Sequence, residues 1–271
     1  MIIIGEKLNG AIPSIGAAIA EKNSELIRTM ASAQDEAGAD FIDCAPSTVP
    51  EIEYETMCWM LKEIQDVTEK PVCIDSPNAR LLARVLDEGL VKKPGMINSV
   101  NEESDKCEIL FPLIAGSDWQ VVGMTCDKEG IPLDADKKID IAKRIIDKAV
   151  KYGVALNLLH IDPCVMALST MPDAMLNFET CIRKIHEYAP EVKVTGAISN
   201  ISYAMPARKY VNSNCIAMAM LAGLDSAIID PLNVDMMSTI YACEALLGHD
   251  KSGRKYNRAY RAGKLGVKKT Q

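Results

Sequence analysis

The feature that most narrows what this chain can become is a repeated alternation. A short β-branched or apolar run is followed by a polar turn and then by a longer stretch of helical periodicity. Parallel strands need a crossover to return the chain to the same sheet edge, so this pattern signals βαβ units. Candidate strands lie at 2–5, 41–44, 72–75, 96–100, 120–125, 155–162, 193–199 and 226–230. Helical patterns fill the gaps near 24–37, 52–67, 79–88, 105–115, 135–152, 174–188, 211–222 and 235–247. Gly38, Gly153 and Gly223 stand just before a strand, where glycine supplies the left-handed C-cap. Eight units in about 250 residues fit a closed barrel better than an open sheet. A doubly wound sheet would carry G-x-G-x-x-G after its first strand, which this chain lacks, and there is no Walker loop. The expected fold is therefore α/β, a (β/α)8 TIM barrel in a single domain over residues 1–248, followed by a basic C-terminal extension over 249–271.

Composition removes several classes of function. Hydrophobic residues make up 48% of 271 and charged residues 25%, enough for a large core and unlike a disordered chain. The apolar opening Met1 to Ile4 is too short for a signal peptide or membrane span, which points to a cytoplasmic protein. Nine cysteines are scattered without a C-x-x-C pair, and His160, His186 and His249 are not at zinc-finger spacing. The thiols read as core residues, and no metal site is expected. Residues 249–271 carry eight Lys or Arg against Asp250, so the net charge of −7 leaves about −14 on the rest. An acidic body argues against nucleic acid as a partner. The basic extension reads as a solvated, partly mobile terminus, with docking of an acidic protein as the alternative.

In a parallel barrel the chemistry gathers at the C-terminal ends of the strands. Those ends carry Glu6, Lys7 and Asn9, then Asp43, Asp75 and Asn78, then Asn98 and Ser99. Thr125 and Asp127, Asp162, Ser199 and Asn200, and Asp230 and Asn233 complete the series. Carboxylates and carboxamides with few cations suit a neutral heterocycle rich in N–H donors better than a phosphate. A reduced pterin is such a ring: aspartate accepts from two adjacent donors, and asparagine both gives and takes. Asp75, Asn98 and Asp162 are the residues expected to grip it. Any one of them could instead cap a helix; three together, with Asn200, favour a site. His160 shares a strand face with Asp162, but a lone histidine there reads as structural.

The segments MIIIGEKLNG at the start, VCIDSPN at 72–78, GMINSV at 95–100, HIDP at 160–163 and GAISNIS at 196–202 resemble the pterin-binding methyltransferases, specifically the methyltetrahydrofolate:corrinoid type. The resemblance runs from residue 1 to about 248. It implies tetrahydrofolate or methyltetrahydrofolate as substrate, with Asp75, Asn98 and Asp162 on the pterin and Asn200 reaching toward N5. It also places Arg208 near the folate or its carboxylate-bearing tail, and implies a homodimer. DCAPS at 43–47 departs from the D-x-N-x-G-P turn of many relatives.

A methyl group on N5 has a poor leaving group, so its displacement needs polarisation at that nitrogen. Asn200 can donate there while a proton passes through Asp75 or water, which makes Asn200 and Asp75 the expected catalytic pair. No D-x-H-x-x-G signature is present, so the corrinoid (cobalamin) is expected to arrive on a partner protein. The direction of transfer stays open. Dihydropteroate synthase chemistry would want a Lys after the strand-seven turn and an Arg-x-His near the last strand, and neither is there. A Schiff-base aldolase would need a lysine at an inward late-strand end, whereas Lys193 starts its strand. A non-catalytic pterin or corrinoid binder is the remaining alternative, and for it Asn200 would be dispensable.

Overall fold

A computed structural model describes residues 1–266. Strand β1 (Ile2–Gly5) leads through helices α1 (Pro13–Ala20) and α2 (Ser24–Ala37) to β2 (Phe41–Cys44). Then come α3 (Pro50–Gln65), β3 (Val72–Asp75), α4 (Ala79–Asp87), β4 (Met96–Glu102), α5 (Lys106–Ile114) and β5 (Gln120–Asp127). The chain continues through α6 (Ala135–Tyr152), β6 (Leu159–Asp162), α7 (Ala174–Tyr188), β7 (Lys193–Val194), α8 (Arg208–Ala222), β8 (Ser226–Ile229) and α9 (Val234–Leu246). All eight strands are parallel neighbours in sequence order, and β1 pairs with β8. Between β7 and β8 the ladder thins to a bridge from Ala197 to Ile228, so the (β/α)8 barrel is nearly closed.

The alternation of side chains along each strand positions the site. Ile4, Phe41, Cys73, Met96, Val122 and Ile228 meet in one apolar cluster that plugs the barrel. Two residues further along, the same inward face presents Glu6, Asp43, Asp75, Asn98, Met124 and Asp230. Water is thereby excluded below and polar groups are concentrated above. The opposite strand faces pack with the helices in a second, larger core.

Several elements differ from the sequence expectation. Strand β7 stops at Val194 rather than Ser199, and a 3-10 turn follows at Ile198–Ser202. Gly196 in this gap leaves no room for a side chain: a Cβ there would lie 2.9 Å from the Phe178 ring and 3.1 Å from Val165. Strand β6 starts at Leu159, after a 3-10 turn at Leu156–Leu158, and α1 had no periodicity long enough to declare it. The basic extension, expected to be solvated, is folded onto α9 as far as residue 266. Asp250 accepts the backbone N–H groups of Lys255 and Tyr256 at 3.0 and 2.9 Å, starting α10 (Arg254–Arg261). Ala259 and Leu265 are buried, and Lys255 pairs with Glu244 at 3.0 Å. Lys268 and Lys269 of that extension lie outside the described residues. Among the described residues no helix is long and apolar enough to cross a membrane.

Candidate active site

A cavity of about 540 Å³ opens at the C-terminal ends of the strands and brings together Glu6, Asp43, Asp75, Asn98, Asp162 and Asn200. Asp75 ends β3 in register with Asn98 on β4, and the Asn98 amide donates to Asp75 Oδ2 at 3.2 Å. Asp162 ends β6, where its Oδ1 accepts the Cys164 N–H at 2.7 Å. Asn200 is exposed on the 3-10 turn after β7, at the rim.

Arg208 is the first residue of α8 and is not among the side chains lining the cavity. Its Nε donates to Ser202 Oγ at 2.8 Å and its Nη2 to the Ser199 carbonyl at 2.6 Å, so it braces the turn that carries Asn200. The cation that does border the cavity is Lys106, held to Glu103 at 3.0 Å. Neither was expected there. Strand β4 continues past Asn98 with register shifts at Val100 and Glu102, and these deliver Asn101, Glu103 and Lys106 to the wall.

The capping alternative holds for some strand-end residues. Asn78 Oδ1 accepts from Arg80 and Leu81 N–H, and Asn233 Oδ1 from Met236 N–H, so both cap helices. Asp127 and Asp230 each accept an N–H two residues on. Asp230 also pairs with Lys7 at 3.2 Å. Asp75 and Asn98 cap nothing and bond to each other at the cavity.

Burial dominates the electrostatics. Asp43 is 2% exposed and its Oδ1 has no hydrogen-bond partner. Burial, then the charges of Asp75 and Glu6, hold its carboxyl well above the usual range against a hydrogen bond with Cys73. Asp75 is pushed up to about 7 by burial and by Glu53, a buried side chain that accepts from Ser76 Oγ at 2.6 Å. Glu6 is also raised to about 7, by burial and Asp230, with Lys7 and Arg208 opposing. Asp162 rises to about 6 through burial, opposed by the Cys164 N–H and by Lys138. Carboxyls raised by burial in this way hold their protons closer to neutrality than free side chains do. His160 takes no part in this: it is fully buried in the barrel, bridging Ser226 Oγ and Gln120 Oε1 at 2.7 Å each, and burial pushes it down to about 3. Among the described residues no group of three or more His, Cys, Asp or Glu is arranged to hold a metal ion.

An acceptor-lined cavity at the strand ends of a parallel barrel is the setting of a ring-binding enzyme, and the family model of pterin binding enzymes matches residues 13–230. The chain belongs to that family. Within it, the chain is 48% identical over 268 residues to the methylcorrinoid:tetrahydrofolate methyltransferase of Eubacterium limosum, covering 98% of each. It is 30% identical over 257 residues to methionine synthase of Mycobacterium tuberculosis, covering 89% of this chain but 21% of that protein. Among solved structures, dihydropteroate synthase of Clostridium difficile in the presence of pteroic acid superposes with a TM-score of 0.70 at 17% identity. That match covers 91% of this chain and 96% of the other, and it speaks for the fold alone.

Proposed function

We propose that this protein transfers a methyl group between the cobalt of a corrinoid and N5 of tetrahydrofolate, in the direction of the folate. The observation that carries this reading is the meeting of Asp75, Asn98 and Asp162 with the uncommitted Asp43 oxygen in one cavity. A pterin offers N–H donors to the Asp43 Oδ1 that has no partner and to the second oxygens of Asp75 and Asp162. The direction rests on the 48% identity to an enzyme whose name puts the methylcorrinoid first. A corrin is too large for a cavity of about 540 Å³, so it is read as a substrate presented at the mouth by a partner corrinoid protein. Cytoplasmic location and a homodimer complete the reading.

The chemistry asks this chain for three things. Asp75, Asn98 and Asp162 hold the ring so that N5 faces the mouth. The N5 lone pair then attacks the methyl carbon, the cobalt keeps the electron pair of the broken bond, and N5 sheds its proton. Asn200 hydrogen-bonds N5 and the Asp75 carboxyl cluster takes the proton; in reverse, the same groups return it. Arg208 braces the Asn200 turn and adds positive charge at the rim, where the carboxylates of a folate tail would pass. Dihydropteroate synthesis would need free cations for a pyrophosphate, but Lys106 at the wall is already paired with Glu103.

The test is titration of tetrahydrofolate into wild type and alanine variants by calorimetry. D75A, N98A and D162A should each weaken binding about 10- to 100-fold. N200A should bind within a few-fold of wild type yet lose about 100-fold in turnover. Unchanged binding in D75A, N98A and D162A would overturn the site, and unchanged turnover in N200A would favour a non-catalytic binder.

A further inference from the structure

Lys138 lies near the start of α6, on a stripe otherwise made of Ile141, Ala142, Ile145 and Ala149. It is only 1% exposed. A buried ammonium is costly unless it is paired, yet Lys138 forms no ion pair among the described residues. Its Nζ donates instead to the backbone carbonyl of Cys164 at 2.8 Å. Cys164 closes the turn after Asp162 and adopts φ +55°, a conformation that disfavours a residue with a side chain. Its N–H donates to Asp162 Oδ1 at 2.7 Å. The turn is thus held from both sides, by the carboxylate in front and the ammonium behind.

We propose that Lys138 is a positioning residue for the pterin site: it fixes the Cys164 turn from outside the barrel wall and, as the nearby positive charge, keeps Asp162 an ionised acceptor for the ring. This rests on the pterin reading above. The groups facing the pair come from several elements. Cys181 of α7 and Cys164 lie near Lys138, and Cys126 of β5 lies near Cys164. Burial raises Cys126 and Cys181 to about 11 and Cys164 higher still, so these thiols stay neutral. Glu6, Asp43 and Asp75 border the same cavity as Asp162, and burial raises each of them as it raises Asp162. Burial raises the Asp162 carboxyl to about 6, the Cys164 N–H opposes that rise, and Lys138 is the cation that opposes it further.

The experiment measures tetrahydrofolate affinity by calorimetry from pH 5.5 to 8.5 in wild type, K138M, K138Q and K138R. Methionine removes both charge and donor, glutamine keeps a donor without charge, and arginine keeps both. Loss of the cation should move the acidic limb of binding upward by about one pH unit in K138M and K138Q. Affinity should then be about threefold weaker than wild type at pH 6.5, about eightfold weaker at pH 5.5 and nearly equal at pH 8.5, with K138R close to wild type. Curves that do not move, or a loss that is equal at every pH, would overturn the proposal. Failure of wild type to bind at any pH would instead strike the pterin reading. Where the single variants fold poorly, the pair is read from stability: D162N strands the buried ammonium, so K138M/D162N should be less destabilised than the sum of the two. Additive losses would overturn the proposal.

Discussion

At the scale of single residues, the barrel mouth places acids where the folded state alone would not favour them. Glu6 and Asp75 keep protons to about pH 7, whereas the unfolded chain releases them near pH 4. The stability linked to these groups is therefore fully present below about pH 4 and is lost as pH rises through about 7. Replacing Asp75 with Asn should raise stability at pH 8 by about 1–3 kcal/mol and change little at pH 4, as read by urea unfolding. Binding of tetrahydrofolate should fall in the same variant. The titration also governs turnover. Methyl transfer to tetrahydrofolate needs a base and should rise with pH through about 7, then level off; the reverse reaction should fall over the same interval. A flat profile from pH 6 to 8 in both directions would remove the carboxyl cluster from the proton path.

At the scale of elements, β7 is the weak point of the barrel because it offers only Lys193 and Val194 to the ladder. Gly196 allows the chain to pass between Phe178 and Val165, so G196A should cost about 1–3 kcal/mol in thermal unfolding. The C-terminal segment buries its own Ala259 and Leu265 against the barrel, and its Lys255 pairs with Glu244, which also receives the Met1 amine. Ending the chain at residue 248 should lower the melting temperature by several degrees while leaving tetrahydrofolate affinity unchanged, since none of these residues borders the cavity. Much of the site was readable because period-two alternation is rigid: once Ile4, Phe41, Cys73 and Met96 face inward, Glu6, Asp43, Asp75 and Asn98 must follow. Asn101, Glu103 and Lys106 were not readable, because a register shift in β4 breaks that counting. Lys138 leaves a trace in the sequence, a lysine within the apolar stripe of α6. The fold of 249–266 was hidden by its charge: the Asp250 cap, the Lys255–Glu244 pair and the buried Ala259 and Leu265 that anchor it are contacts only the tertiary structure reveals.

At the scale of the whole molecule, an apolar plug beneath and a ring of acceptors above make a one-sided container. In the proposed function the pterin end of a folate enters it, and the methyl donor meets N5 at the open mouth. That account predicts which partner chemistry works and in which order. The measurement that tests it most directly mixes the purified protein with tetrahydrofolate and methylcobalamin under strict anaerobiosis and follows the cobalt absorption bands. Conversion of methylcobalt to cobalt(I) that depends on both protein and folate, and that is lost in N200A, is the expected result. Tight tetrahydrofolate binding with no change at cobalt, whether the corrinoid is free or carried on its partner protein, would contradict methyl transfer and leave a pterin binder.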